Sequence, residues 1–258
     1  MHHSNNTDAR SGHDLALVIL AAGRGSRFVK DGHVLPKPLI QLRGRPFFWW
    51  ATESVRRRVP LRELVFVVLK EHIQDFKIDQ VIREHYPNAR LVTVDAVTRG
   101  AAESAHIALR TIESPGPVAI NDCDHAFITE DLPRTVDALN HGTEAAVVSF
   151  RSDSPAYSYA QLNAAGQVCA TVEKQVVSPH AIAGCYFFAS AQRYAERFAH
   201  YQAHCPYNEL FLSGIFNLIA EQGQIIELIE LAQHCSFGTP EELAAINDQN
   251  FALFDRWA

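Results

Sequence analysis

The stretch Leu20-Ala21-Ala22-Gly23-Arg24-Gly25-Ser26-Arg27-Phe28, followed by Pro36-Lys37-Pro38-Leu39, decides how this chain is read. The apolar run from Leu15 to Ala22 leads straight into a glycine-rich, arginine-bearing turn. That pattern describes a strand delivering a flexible cationic loop to the end of a sheet. Gly23 and Gly25 let the backbone approach a ligand closely and turn its N–H groups toward anionic oxygens. Arg24, Arg27 and Lys37 supply charge where phosphates would sit. Between Arg24 and Arg45 there are six Lys/Arg and one acid, although the whole chain carries a net charge of −6. A basic island in an acidic protein points to an anionic small ligand and away from a nucleic-acid surface.

Two common phosphate-binding motifs are excluded. Phe28 stands where the third glycine of a dinucleotide fingerprint is needed, and no Gly-Lys-Ser/Thr follows to make a P-loop. The 258 residues and 47% hydrophobic content suit one large α/β domain, expected over residues 14–258. The polar, His- and Asn-rich residues 1–13 lack an apolar core, so they read as a disordered tail and not as a signal peptide. No apolar stretch approaches the roughly 20 residues that span a bilayer, so no membrane association is expected. Five cysteines, with no Cys-x-x-Cys pair, fit a reducing cytoplasm better than a disulfide framework or a zinc site.

The first half alternates short β-rich runs with helical patterns. Strands are expected at Leu15–Leu20, Leu64–Leu69, Arg90–Val94 and Pro117–Ile120, and helices at Phe47–Arg58, Ile73–Glu84 and Ala101–Thr111. Such alternation implies βαβ units and a mainly parallel sheet. Further strands are expected at Ala145–Phe150, Ala170–Glu173 and Ile182–Phe188, with helices at Ala191–Ala203, Asn208–Glu221 and Pro240–Phe254. In doubly wound sheets ligands bind beyond the carboxyl ends of the strands. Gly23–Arg27, Thr98–Ala102 and Asn121–Asp124 all end there.

Asn121-Asp122-Cys123-Asp124 follows the buried run Val118–Ile120. Carboxylates at i and i+2 just past a strand can share one hard cation, and Mg²⁺ favours one or two carboxylates plus phosphate oxygens. The competing reading is a polar turn that caps the next helix. Thr98-Arg99-Gly100-Ala101 has the form of a loop opening a helix, and Glu173-Lys174 that of a solvated pair. Asn208-Glu209 reads as a helix start able to face the same cleft. Thr239-Pro240-Glu241-Glu242 reads as a capped helix start. In the helix expected after Pro206, Leu210 and Phe211 read as core. Trp49 and Trp50 read as core or interface. His200 and His204 lie at i, i+4 without an evident third ligand.

With Ser26-Arg27 and Lys37-Pro38 in place, the chain resembles the sugar-phosphate nucleotidyltransferase family, which opens with Leu-Ala-Ala-Gly-x-Gly-(Ser/Thr)-Arg followed by Lys-Pro. The resemblance runs from about Leu15 to Leu243 and weakens after Arg151. It implies a Rossmann-like, mixed but mainly parallel sheet flanked by helices, of the nucleotide-diphospho-sugar transferase type. It implies a nucleotide site at Ala21, Ala22, Gly23, Arg24, Gly25 and Ser26, with Thr98, Gly100 and Ala101 bordering the base. Arg27, Lys37 and Lys174 become the expected catalytic cations, and Lys174, from Val172-Glu173-Lys174, is expected to meet the incoming phosphate. Glu173, Gly184 and Asn208 become expected substrate contacts, with Gly184 leaving room for a sugar ring. Asp122 and Asp124 become the expected Mg²⁺ ligands, with either as the primary one. Many relatives place a further Asp two residues before the glycine of Gly238-Thr239-Pro240; this chain has Ser236 there.

The expected reaction joins an NTP to a sugar 1-phosphate or similar small phosphate and releases pyrophosphate, within nucleotide-sugar, capsule or polysaccharide biosynthesis. One alternative is a cytidylyltransferase for a non-sugar phosphate such as phosphocholine or a phosphorylated amino-acid derivative. Others are a glycosyltransferase using a ready-made NDP-sugar and a non-catalytic nucleotide-sensing module. The expected partners are the NTP and the phosphate substrate. A homo-oligomer is compatible with the sequence, which does not fix it.

Overall fold

In a computed structural model describing residues 14–257, the run Leu15–Ala21 forms the central strand of a nine-stranded sheet. The expectation for residues 1–13 lies outside the described residues. Leu15–Ala21 pairs in parallel with Leu61–Leu69 on one side and with Val118–Asp122 on the other. Arg90–Val94 extends the parallel part beyond Leu61–Leu69. The direction changes at His180–Phe188, which runs antiparallel to both Val118–Asp122 and Ala145–Arg151. Ser158–Leu162 and Val168–Glu173 form an antiparallel pair at one edge, and Ile226–Glu230 adds in parallel to Ala145–Arg151. The sheet is thus the expected helix-flanked α/β type, with the order of the first four strands reversing at Leu15–Ala21.

Side-chain alternation along that strand builds two cores. Leu15, Leu17 and Ile19 join Phe47, Phe48, Trp50, Ile82 and Val136 on one face. Ala16 and Val18 join Ala105, Leu109, Phe198 and Phe216 on the other. Both faces are covered, which is why the central strands read as unbroken apolar runs. Trp49 and Trp50 are both buried in the first of these cores.

Three expected helices differ from the structure for local reasons. The Ile73–Glu84 pattern is two helices, Lys70–Phe76 and Ile78–His85, separated by Lys77 in the left-handed region at φ 55°. A continuous helix would turn Ile78 by about 200° away from Phe76. The break lets both Phe76 and Ile78 reach the core. The Asn208–Glu221 pattern becomes helical only at Ser213. Before it, Leu210 pairs through its backbone with Arg99 and Ala102, at 2.9 Å each. The Pro240–Phe254 pattern is interrupted after Ala244, and Asn247 caps a second short helix at Asp248–Phe251.

Several elements have no counterpart in the sequence reading, among them the strands Ser158–Leu162 and Ile226–Glu230. Leu132–Asn140 is a helix with Leu132, Val136 and Leu139 buried. His125–Ile128 pairs antiparallel with Gln233–Ser236 in a separate two-stranded ribbon, with His125 opposite Ser236.

Candidate active site

The reversal of strand order opens a crevice beyond the carboxyl ends of Leu15–Ala21 and Val118–Asp122, where Leu20 and Asp122 are paired in register. A cleft of about 460 Å³ lies there, within the range of small-molecule sites. It gathers Gly25, Ser26 and Arg27 from the first loop, Lys37, and the carboxylates Asp122 and Asp124. Ala101, Lys174 and Gly184 complete the sequence-expected residues that line it.

The two halves of the opening motif are joined by a close approach. Gly25 sits at φ 62°, where a Cβ would lie 2.7 Å from Cβ of Lys37. Only glycine lets the loop turn here while Lys37 passes beside it. Lys37 Nζ then donates to Oδ2 of Asp124 at 2.6 Å. Burial alone would lower the Lys37 pKa, but the charges of Asp124 and its neighbours hold it well above the ordinary lysine value. Burial likewise opposes ionisation of Asp124, and Lys37 outweighs it, keeping that carboxyl below the usual range.

Asp122 is the unbalanced charge. Burial first, and then the like charge of Asp124, push its pKa up to about 7. Each carboxylate also rests against a glycine. A Cβ on Gly184 would lie 2.7 Å from Oδ2 of Asp122, and one on Gly238 would lie 2.5 Å from Oδ2 of Asp124. This corrects the expectation for Gly184: the space its missing side chain leaves is filled by Asp122 and not left open for a sugar ring.

Two hard-oxygen carboxylates side by side, one of them destabilised by the other, fit a divalent cation shared with phosphate oxygens. Among the described residues no group of three or more His, Cys, Asp or Glu is placed to hold a metal ion. Ser236 lines the cleft as well, and Asp122 and Asp124 are the adjacent pair of carboxylates there that could hold such a cation.

Other expected residues lie elsewhere. Ala21 and Ala22 are buried at the end of the central strand, beneath the loop. Gly23 has open space around it. Arg24 is exposed and donates to Glu71 at 3.3 Å, outside the cleft lining. Thr98 hydrogen-bonds the carbonyl of Gly100 and the hydroxyl of Ser104. A Cβ on Gly100 would meet the Leu210 backbone at 2.6 Å, so the glycine serves a backbone contact and offers no shelf for a base. Glu173 accepts from Ser158 Oγ at 2.5 Å and from the Ser213 hydroxyl. It ties an edge strand to a helix and does not line the cleft. Asn208 opens no helix and does not line the cleft; its neighbour Glu209 does. Lys174 sits at φ 53°, with its ammonium 5.1 Å from the ring centre of Phe211. Phe211 therefore faces the cleft and not the core.

The cleft also holds residues to which the sequence reading gave no role. Tyr157 Oη donates to Glu242 Oε1 at 2.5 Å; burial first, and Glu242 second, raise its pKa. His125 is held neutral, its pKa pushed down to about 4 by burial. His234 is pushed well below the ordinary imidazole value, first by burial and then by His125. Glu242 reads in the sequence as a capping residue, and its carboxylate does accept from the Thr239 backbone N–H at 3.0 Å. Nothing in the local pattern around Tyr157 or His234 marks either as part of a site. His200 and His204 stack on an exposed helix face, and among the described residues no group of three or more His, Cys, Asp or Glu is placed to hold a metal ion there.

Comparison with known proteins agrees with this geometry. A curated relative, the 2-C-methyl-D-erythritol 4-phosphate cytidylyltransferase of Bacteroides thetaiotaomicron, is 27% identical over 119 residues, 46% of this chain and 52% of that protein. The chain thus spans about half the length of the curated relative it matches. Among solved structures, a nucleoside-diphosphate-sugar pyrophosphorylase from Vibrio cholerae RC9 superposes with a TM-score of 0.74 at 21% identity, covering 88% of this chain and 98% of that one. The inositol-1-phosphate CTP transferase from T. maritima gives a TM-score of 0.74 at 13% identity, covering 95% and 96%. These likenesses show the fold. The MobA-like NTP transferase domain matches residues 17–210, three quarters of the chain. A glycine loop bearing Arg27 and a lysine bonded to the second of two aspartates both lie within that match: the chain belongs to the MobA-like NTP transferase family.

Proposed function

We propose that the chain transfers a nucleotidyl group from an NTP to the phosphate of a small phosphorylated substrate, with a sugar 1-phosphate as the leading class. The observation that carries this reading is the convergence of Arg27, Lys37 and Lys174 with Asp122 and Asp124 in one cleft. A phosphate oxygen of the acceptor forms a bond to the α-phosphorus, the bond from that phosphorus to the bridging oxygen breaks, and pyrophosphate leaves with the electron pair. The acceptor phosphate enters already ionised, so no strong general base is needed. Catalysis then rests on positioning and charge neutralisation.

Arg27 and the N–H groups of the Gly25–Ser26 turn hold the outer phosphates. Lys37 serves the α-phosphate, and Lys174, braced on Phe211, orients the incoming phosphate. Asp122 and Asp124 would hold Mg²⁺, which when bound neutralises charge on the α-phosphate and the leaving group. The curated relative acts on a phosphorylated polyol with a cytidylyl donor, which supports CTP as the second donor to be tried after the nucleotides of sugar activation.

Pyrophosphate release tests the reading. Purified protein with Mg²⁺, each of four NTPs and pools of sugar 1-phosphates and polyol phosphates should release pyrophosphate with one NTP and one pool. Binding of NTP without release from any pool would leave a nucleotide-sensing module in its place.

A further inference from the structure

Lys174 lines the cleft with its backbone at φ 53°, a left-handed conformation that a residue with a side chain keeps only when its surroundings hold it. The ladder between Val168–Glu173 and Ser158–Leu162 stops one residue short of it, at Glu173 and Ser158. Just past that last pair, the N–H of Lys174 donates to the carbonyl of Tyr157 at 3.1 Å. Tyr157 lies in the connection between Ala145–Arg151 and Ser158–Leu162 and lines the cleft too. A loop residue thus holds the backbone of Lys174.

That loop residue is tied down through its side chain. Tyr157 Oη donates to Oε1 of Glu242 at 2.5 Å, a short bond of the kind made to a charged acceptor. Its ring packs edge-on against Phe150, with centres 5.0 Å apart. Glu242 is itself fixed: Oε2 accepts the Thr239 N–H at 3.0 Å, and its own N–H donates to Thr239 Oγ1 at 3.2 Å. The two residues before Thr239 carry this anchor on to the carboxylate pair. Phe237 N–H donates to the carbonyl of Asp124 at 3.0 Å, and a Cβ on Gly238 would lie 2.5 Å from Asp124 Oδ2. A chain of contacts therefore runs from Asp124 through Gly238, Glu242 and Tyr157 to Lys174. None of these contacts involves Gly25, Ser26 or Arg27.

We propose that Tyr157 is a positioning residue for the acceptor side of the reaction: its hydroxyl on Glu242 and its carbonyl on Lys174 together set the Lys174 ammonium against the Asp122–Asp124 pair. The inference rests on the nucleotidyl-transfer reading above. In that reading the acceptor phosphate meets Lys174 and the α-phosphate sits at the carboxylates, so this spacing governs the approach of the nucleophilic oxygen to phosphorus. A misplacement of about 1 Å in such an approach can cost about 100-fold in rate. The Tyr157 hydroxyl gives its proton to Glu242 and acts on the substrate only through Lys174. Removing that hydroxyl leaves the carbonyl, the ring and the packing on Phe150, but releases the loop from Glu242.

The test uses the full chain with Mg²⁺, each NTP in turn, and glucose 1-phosphate and glycerol 3-phosphate as acceptor probes. In Tyr157→Phe, kcat/KM for whichever probe is turned over should fall about tenfold or more, while the KM for NTP holds within about twofold. Glu242→Met should reproduce that loss. Glu242→Gln should retain most of the rate, because its amide oxygen still accepts from Thr239 and its amide nitrogen can donate to the Tyr157 oxygen. In a Lys174→Met background, Tyr157→Phe should change the rate by less than about threefold, since the residue through which it acts is already gone. Hydrogen exchange supplies a readout without turnover. The Lys174 amide should exchange about tenfold faster in Tyr157→Phe, with the amides of Leu17 and Ile19 in the central strand unchanged. A rate within about threefold of wild type in Tyr157→Phe, or a full-sized loss in the Lys174→Met background, would overturn the proposal. So would unchanged exchange at Lys174, or exchange that quickens equally at Leu17 and Ile19. If no NTP yields pyrophosphate with either probe, the transfer reaction is what fails, and exchange at Lys174 alone decides the positioning role.

Discussion

The ammonium of Lys37 lies 2.6 Å from Oδ2 of Asp124, with only 22% and 19% of the two side chains exposed. The pair joins the opening motif to the end of the Val118–Asp122 strand and cancels one of two adjacent carboxylate charges. Removing one partner leaves a largely buried charge uncompensated, whereas removing both does not. Lys37→Met and Asp124→Asn should each lower Tm, and the double variant should recover most of the loss, with a coupling of roughly 1–3 kcal/mol. Turnover should fall about 100-fold or more in all three, because charge contacts made in the transition state are lost. Thermal melts combined with rates check this; additive stability losses would break the assignment.

Asp122 should behave in the opposite sense. Its pKa is raised in the folded protein from 3.8 to about 7, so the unfolded chain releases this proton first as pH rises. Below about pH 4 the group is protonated in both states and costs nothing. Between pH 4 and 7 its contribution to stability falls, and above 7 the penalty is complete. Asp122→Asn should therefore raise Tm at pH 7.5 in the absence of divalent ions, with little effect at pH 4, while lowering turnover about 100-fold. Saturating Mg²⁺ should shrink the Tm difference by relieving the wild-type carboxylates. Melts across this pH range, with and without Mg²⁺, give the answer, and a lower Tm for Asp122→Asn at pH 7.5 would count against it.

Glycine substitutions separate close approach from turn geometry. Gly25→Ala places a Cβ against Lys37, and Gly184→Ala places one against Asp122, each at 2.7 Å and each at positive φ. Both should cost about 1–3 kcal/mol of stability and displace a charged group from the cleft. Gly23→Ala meets nothing within 4 Å. It should stay within about 1 kcal/mol of wild type. Denaturant titrations of the three variants rank them directly; a Gly23 variant as damaged as the others would contradict the packing account.

Much of this was legible in the sequence, for identifiable reasons. The central strands are buried on both faces, so Leu15–Leu20 and Leu64–Leu69 appear as apolar runs that no helix competes for. Asp122 and Asp124 follow such a run directly, which fixes their place at the crevice. What escaped were features decided by distant partners. Asn208–Leu212 has a helical pattern, but Leu210 is captured by the backbone of Arg99 and Ala102. Gly100 and Gly184 read as space for a ligand, although a main chain and a carboxylate fill that space. The ribbon that carries His125 and His234 joins segments about 110 residues apart, so neither strand announces the other.

Glu173 provides a further separation of roles. Its carboxylate is held by Ser158 and Ser213, so Glu173→Gln should lower Tm while leaving the acceptor KM within about twofold, since the amide oxygen still accepts one bond. Lys174→Met, by contrast, should raise acceptor KM or lower kcat by about tenfold or more at nearly unchanged stability. Steady-state kinetics of both variants decide it. A tenfold rise in acceptor KM for Glu173→Gln would return that residue to the substrate.

The central claim is that the α-phosphorus moves from the nucleotide to the acceptor phosphate. NTP labelled at the α-phosphate, incubated with Mg²⁺, the protein and glucose 1-phosphate or a polyol phosphate, follows that atom directly. The expected result is label in a new diphosphate ester, formed in equal amount to unlabelled pyrophosphate, and lost in Lys37→Met. Label that stays in NTP or NDP, with the γ-phosphate or a sugar transferred instead, would contradict the account.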